Sequence, residues 1–261
     1  MLRRRMLSIA TVLGLTYLGL GALLFLLQRA LLFPAPREAA ALVGKGEILQ
    51  VPGGTPMLWR PAQGTGPVVV HFHGNGEQIA SEAWLGEELA RRGVSFAAVE
   101  YPGYPRAAGV PSEEGIVAAA EKALQHLTTT MGVSPERVVL SGQSLGTGVA
   151  VVLASRGWGT RTALLSPYTS LPAVAASGIL RLFPVRLLMH DRFDSEARAP
   201  GIRHPVLVLH GDRDEVIPFQ LGKALAERFP RARLVRIEGA GHNDLWEHAP
   251  TASEYYAFVA R

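Results

Sequence analysis

Ser144 stands between two glycines in Gly142-Gln143-Ser144-Leu145-Gly146, after the apolar run Val138-Val139-Leu140 and before a helix-forming segment. A serine in that setting can occupy a sharp turn from strand into helix, because side chains at the two glycine positions would meet neighbouring backbone. Its hydroxyl is then exposed at the C-terminal end of the strand, poised to attack a carbonyl carbon. The backbone N–H of Leu145 points into the same space, and the N-terminus of the following helix adds partial positive charge for a developing oxyanion. A hydroxyl attacks only when an imidazole takes its proton, and a carboxylate must fix the tautomer of that imidazole. His242 is the choice for the base. Alone among the eight histidines it lies in a loop after the last strand, Gly239-Ala240-Gly241-His242-Asn243-Asp244, free of strand packing. An acid at 212–214, in His210-Gly211-Asp212-Arg213-Asp214, completes the set.

A second oxyanion donor is expected after the buried strand that opens at Pro67 and ends in His73-Gly74-Asn75-Gly76. The small residues at 74 and 76 let backbone approach a substrate oxygen, and the N–H of Asn75 is the choice. His71 and His73, two apart on one strand, share a face, a spacing that also suits a metal. No acidic residue or further histidine follows at ligand spacing, so His73 is read as ordering the loop, His71 as structural, and no metal or other cofactor is expected.

Positioning these groups requires strands that end on one edge of a sheet. Strand patterns occupy 46–51, 57–60, 67–72, 94–101, 137–141, 162–166, 205–211 and 233–238. Between them lie helical patterns at 81–92, from a Ser112 cap to about 131, at 149–155, at 221–229, and finally at 251–259. Strands alternating with helices at this rhythm predict an α/β, mostly parallel, doubly wound sheet with ligands at the strands' C-terminal ends. The periodicity changes between 167 and 204, where Leu180, Leu182, Phe183, Val185, Leu187, Leu188 and Met189 cluster among Pro and Arg. This predicts a short lid of one or two helices, the alternative being a connector packed on the sheet.

The chain of 261 residues is 48% hydrophobic, enough to bury a full core in one domain plus an appendage. Of the net charge of +4, Arg3, Arg4 and Arg5 supply three units, leaving +1 elsewhere. No basic run is interleaved with aromatics, so a nucleic-acid partner is not expected. With no cysteine, disulfides, thiolate metal sites and cysteine nucleophiles are excluded.

Residues 6–27 carry no charged side chain. As a helix they would extend roughly 33 Å, enough for a bilayer core of about 30 Å. A cleaved signal peptide is the alternative, but no small-x-small site is evident before Gln28-Arg29-Ala30-Leu31-Leu32-Phe33. The reading is a basic N-terminus at 1–5, a transmembrane anchor at 6–27, a tether at 28–45 and a catalytic domain at 46–261. The arginines before the span predict a cytoplasmic N-terminus with the domain on the extracytoplasmic side. Arg29 can snorkel to the interface, Pro34 and Pro36 stop the helix, and Leu31, Leu32 and Phe33 lie either along the headgroups or docked on the domain.

Over 46–261 the chain resembles the α/β-hydrolase superfamily, and within it the membrane-anchored α/β-hydrolase-domain proteins and their bacterial relatives. The resemblance rests on the anchor followed by Gln28-Arg29-Ala30-Leu31-Leu32-Phe33-Pro34, the His73-Gly74-Asn75 turn and Glu100-Tyr101-Pro102-Gly103-Tyr104. Gly142-Gln143-Ser144-Leu145-Gly146, His210-Gly211-Asp212-Arg213-Asp214 and Gly241-His242 complete it. The order Ser, Asp, His is the one used by hydrolases of this fold. The resemblance assigns the acid role to Asp214, with Asp212 as a turn-forming carboxylate. It implies hydrolysis of carboxylic esters, lipid esters, thioesters or, in some members, peptides. The expected activity is therefore an esterase or lipase-like acyl hydrolase acting on amphiphilic esters near the membrane. The alternatives are a serine aminopeptidase using Glu100, Asp191 or Asp194 to hold a substrate amine, and a non-catalytic binding protein of the same fold. One departure is Pro105-Arg106-Ala107-Ala108-Gly109, where relatives commonly continue Tyr-Gly-x-Ser; a different loop shape is expected there.

Overall fold

The computed structural model describes residues 2–261. Met1 and the side chains of Leu2 and Arg3, part of the basic N-terminus, lie outside the described residues.

Strands β1 (Glu47–Leu49), β2 (Met57–Arg60), β3 (Val68–Phe72), β4 (Ser95–Val99), β5 (Val138–Gln143), β6 (Arg161–Leu165), β7 (Val206–Gly211) and β8 (Ala232–Ile237) form one eight-stranded sheet. Its order is β1-β2-β4-β3-β5-β6-β7-β8. The β1–β2 and β2–β4 pairs are antiparallel and every later pair is parallel. The strands read as near-continuous Val, Leu and Ala because both faces are covered. Alternation sorts their residues: Val68, Val70, Phe72, Val138, Leu140, Val206 and Val208 join one core, while Val69, Val139, Leu207 and Leu209 join the other.

The first core receives helices α3 (Glu113–Gln125), α4 (Leu145–Ser155) and α8 (Phe219–Ala226). The second receives α2 (Ala83–Ala90) and α9 (Ala249–Val259). Ser112 caps α3, its hydroxyl accepting the Gly115 N–H. The chain leaves β3 in one direction to β4 and returns across it to β5, so β3 and β5 flank the point where winding reverses. A crevice opens there at the carboxyl ends of the strands.

Residues 167–204 contain three short helices, α5 (Leu171–Ser177), α6 (Val185–Leu188) and α7 (Ser195–Arg198), plus 3-10 turns at Ile179–Leu182 and Ala199–Gly201. This is more than the one or two expected, because Gly178 ends α5 and Pro184 separates the first 3-10 turn from α6. The segment docks on α1 (Leu2–Leu32), the long N-terminal helix. Tyr17 stacks on Phe183 at 4.8 Å and donates its hydroxyl to Leu182 O at 2.7 Å. Arg29 Nε bonds Asp191 Oδ2 at 3.1 Å.

α1 extends past both ends of the apolar stretch and stops at Leu32, since Pro34 disfavours helical backbone at Phe33. By length and composition it is able to cross a membrane. Leu7, Ile9, Leu13, Leu18 and Leu26 remain more than half exposed along it. Phe33, by contrast, is buried in the first core, so the tether docks on the domain at this point.

Candidate active site

β5 delivers Ser144 into a backbone conformation of φ 50°, ψ −118°, in the region that non-glycine residues avoid. The two flanking glycines make this turn possible. A Cβ on Gly146 would fall 1.9 Å from Phe72 O, and one on Gly142 would fall 2.3 Å from Gly146 O. Their absence lets the first turn of α4 seat directly on the end of β3.

His242 reaches the serine from the loop after β8. Its Nε2 stands 3.0 Å from Ser144 Oγ and its Nδ1 2.8 Å from Asp214 Oδ2. Asp214 follows β7 and is buried. Its other oxygen, Oδ1, accepts the N–H groups of Val216 at 3.0 Å and Ile217 at 2.7 Å. Burial opposes ionisation of Asp214, but hydrogen bonds from His210, His242 and the Ile217 N–H outweigh it and hold the carboxyl well below the usual range. Asp212, two residues away, turns outward to bond Arg236 at 2.6 Å and to accept the Gly239 N–H at 2.8 Å. The structure thus brings Ser144, His242 and Asp214 together and leaves Asp212 in a turn.

The loop after β3 passes close to the serine, for a Cβ on Gly74 would lie 3.4 Å from Ser144 Cβ. Gly74 N–H is taken by Glu77 Oε2. Among the described residues, the N–H groups of Asn75 and Leu145 donate to no protein acceptor. The Asn75 side chain is fixed, its Nδ2 donating to Leu32 O at 2.7 Å.

A family model described as the alpha/beta hydrolase fold matches residues 168–249. The human alpha/beta hydrolase domain-containing protein 17C is 35% identical over 209 residues, covering 78% of this chain and 61% of that protein. The chain belongs to the α/β-hydrolase superfamily. An uncharacterised Mycobacterium tuberculosis protein is 32% identical over 253 residues, covering 93% of this chain and 90% of that one. Among solved structures, the Pyrococcus furiosus esterase Pf2001 superposes with a TM-score of 0.69 at 15% identity, over 87% of this chain and 96% of that chain. The propionate-bound esterase Est2 of Thermogutta terrifontis gives a TM-score of 0.63 at 18% identity, over 82% and 93%. At these identities the two esterases show the fold. As a member of this superfamily, the protein is a hydrolase.

Several residues around this hydrolase site were not legible as functional in the sequence. Trp246 Nε1 donates to Gln143 Oε1 at 2.8 Å, and Gln143 Nε2 reaches Glu77 Oε1 at 3.4 Å. Glu77 in turn holds Gly74, so one chain of bonds ties the serine turn to the glycine loop. The only available signal was a carboxylate three residues after Gly74. Tyr101 donates to His73 O at 2.7 Å and Tyr168 to Leu145 O at 3.1 Å, fixing backbone on both sides of the crevice.

The two strand histidines serve the frame. His73 Nδ1 bonds Gly74 O at 2.9 Å, and His71 Nδ1 bonds Ser141 Oγ at 2.9 Å. Burial, reinforced by His73, pushes the His71 imidazole down to about 3. Of the acids weighed for holding a substrate amine, Glu100 is fully buried beside His73, and Asp191 is tied to Arg29 and the Glu113 N–H. Asp194 caps α7 through the Ala197 N–H. The loop at 105–109 folds into a turn whose Arg106 bonds Ala40 O, pinning the tether.

Proposed function

We propose that the protein is a serine hydrolase of carboxylic esters, lipid esters and thioesters within its reach, working through Ser144, His242 and Asp214. The observation that carries this reading is the continuous hydrogen-bonded line from Ser144 Oγ through His242 to Asp214, supplied by three separate elements. In the first step Ser144 Oγ bonds to the ester carbonyl carbon while His242 Nε2 takes the hydroxyl proton. The carbonyl oxygen becomes an oxyanion facing the free N–H groups of Leu145 and Asn75, helped by the N-terminus of α4. Collapse breaks the bond to the leaving alcohol or thiol, which receives the proton from His242, and an acyl group remains on Ser144. Water, deprotonated by the same imidazole, releases the acid and restores the serine. Asp214 stays ionised throughout and holds the proton on Nδ1. No step calls for a metal or other cofactor.

The membrane reading rests on α1, whose exposed apolar surface would be a liability in water. α1 is proposed as a single-pass anchor with the cytoplasmic N-terminus set by its arginines and the hydrolase domain on the other side. The propionate-bound Thermogutta esterase supports ester chemistry in this fold. No free acid among those weighed favours an aminopeptidase.

The test is hydrolysis of p-nitrophenyl esters of graded chain length by the full chain in detergent. Activity in the wild type and its loss in Ser144→Ala support the reading. Equal inactivity of both, with the fold intact, defeats it and revives a binding role.

A further inference from the structure

The N-terminal helix does more in this structure than lead to the domain. Between α1 and the segment at 167–204 lies an apolar cavity of about 80 Å³, walled by Leu24, Phe25 and Leu31 on one side and Ala175, Val185 and Leu188 on the other. It adjoins a groove of about 460 Å³ that shares Gly21, Phe25, Phe183 and Leu188. That volume is in the range of small-molecule sites, about 300–1,000 Å³. The one polar side chain in the cavity wall, Gln28, is already satisfied. Its Nε2 donates to Phe25 O at 2.8 Å and its Oε1 accepts the His190 N–H at 2.9 Å. The walls therefore offer carbon alone, and a ligand there gains by burying apolar surface.

Each end of this space has a definite neighbour. Toward the serine the cavity is lined by Leu32, whose carbonyl holds the Asn75 side chain of the candidate oxyanion loop. Toward the outside, Ile179, Leu182 and Leu187 of the 167–204 segment are 78%, 63% and 85% exposed beside a helix of membrane-spanning length. Large aliphatic side chains so exposed next to an anchor mark a surface that meets lipid. From Gly21 to Leu32 the space runs roughly 16 Å along the helix, the shape of one extended hydrocarbon chain.

We propose that α1 and the 167–204 segment together bind a single acyl chain of a bilayer-resident ester, drawn sideways from the membrane so that its carbonyl arrives at Ser144. This rests on the acyl-hydrolase reading above and names its substrate: a long-chain ester delivered by the bilayer, with the anchor as one wall of the site.

The experiment uses the full chain in phosphatidylcholine vesicles. In Ser144→Ala protein, a long-chain ester with a terminal diazirine is photolysed and the adducts are mapped by mass spectrometry. Adducts are expected on Ala175, Val185 or Leu188, reduced at least fivefold by Ala175→Trp, which fills the cavity. Adducts confined to outward residues of α1 such as Leu13 and Leu26, or indifferent to Ala175→Trp, overturn the proposal. With Ser144 present, Ala175→Trp is expected to lower the long-chain to short-chain ratio of kcat/KM about tenfold, and Val43→Ser, at an exposed residue that lines neither space, to leave it unchanged. An unaltered ratio in Ala175→Trp overturns the proposal. Gly21→Leu fills the same space from the opposite wall and gives the same readouts should Ala175→Trp fail to fold. Absence of any Ser144-dependent ester cleavage sinks the acyl-hydrolase reading instead, while the cross-linking still reports on the cavity.

Discussion

Replacing Asp214 by Asn separates a working acid from a merely nearby one. Oδ1 of Asp214 accepts two backbone N–H groups, from Val216 and Ile217, so an Asn there must keep its carbonyl oxygen in that place. The amide NH2 then faces His242 Nδ1, 2.8 Å from the present Oδ2. A donor at that point selects the imidazole tautomer with its proton on Nε2, the nitrogen 3.0 Å from Ser144 Oγ, which then has no lone pair for the serine proton. With geometry otherwise intact, kcat should fall about 10⁴-fold, as wrong-tautomer variants do in serine hydrolases of this logic, equivalent to about 5 kcal/mol of barrier. Asp212→Asn is the paired control. Its carboxylate bonds Arg236 and the Gly239 N–H away from the imidazole, so kcat should change less than threefold. Steady-state hydrolysis of a short p-nitrophenyl ester, with circular dichroism to verify folding, reads both. A loss below tenfold in Asp214→Asn, or an equal loss in Asp212→Asn, would refute the tautomer argument.

Gly146→Ala puts a methyl 1.9 Å from Phe72 O, a backbone atom with no room to retreat. We expect about 1–3 kcal/mol of destabilisation or more, seen as a lower urea midpoint; an unchanged midpoint would mean that the helix does not sit on β3. Phe33→Ala should cost about 3–5 kcal/mol because the ring is buried in the first core, whereas a tether lying free along the headgroups would leave stability untouched. His71 is neutral in the folded chain down to about pH 3 but titrates near 6.5 when unfolded. Between those values the unfolded state binds the extra proton, so stability rises with pH by up to about 1.4 kcal/mol per unit from this group. Urea titrations from pH 4 to 7 should therefore show a shallower slope in His71→Gln, and an identical slope would refute the assignment.

Much of the sheet was legible because buried strands and their glycine stops are local signals. The Ser144 turn was legible for the same reason: Gly142 and Gly146 state a steric need that does not depend on distant chain. The separation of Asp212 from Asp214 is different, since Asp212 meets Arg236 on the neighbouring strand and Asp214 meets His242 only through where the chain turns after β7. Only the family resemblance pointed to Asp214. The link from Trp246 through Gln143 to Glu77 joins residues up to 169 positions apart and leaves no mark in any window of sequence. The docking of 167–204 on α1 was hidden for a physical reason: an apolar helix reads the same whether its neighbour is lipid or Phe183. The number of short helices there was missed because Gly178 and Pro184 interrupt the helical period.

The most direct test of the central claim is to treat the full chain with a fluorophosphonate and locate the adduct by mass spectrometry. The account predicts one phosphonylated residue, Ser144, with labelling lost in His242→Ala while the fold persists. Labelling at another serine, or none in a folded wild-type protein, would contradict it.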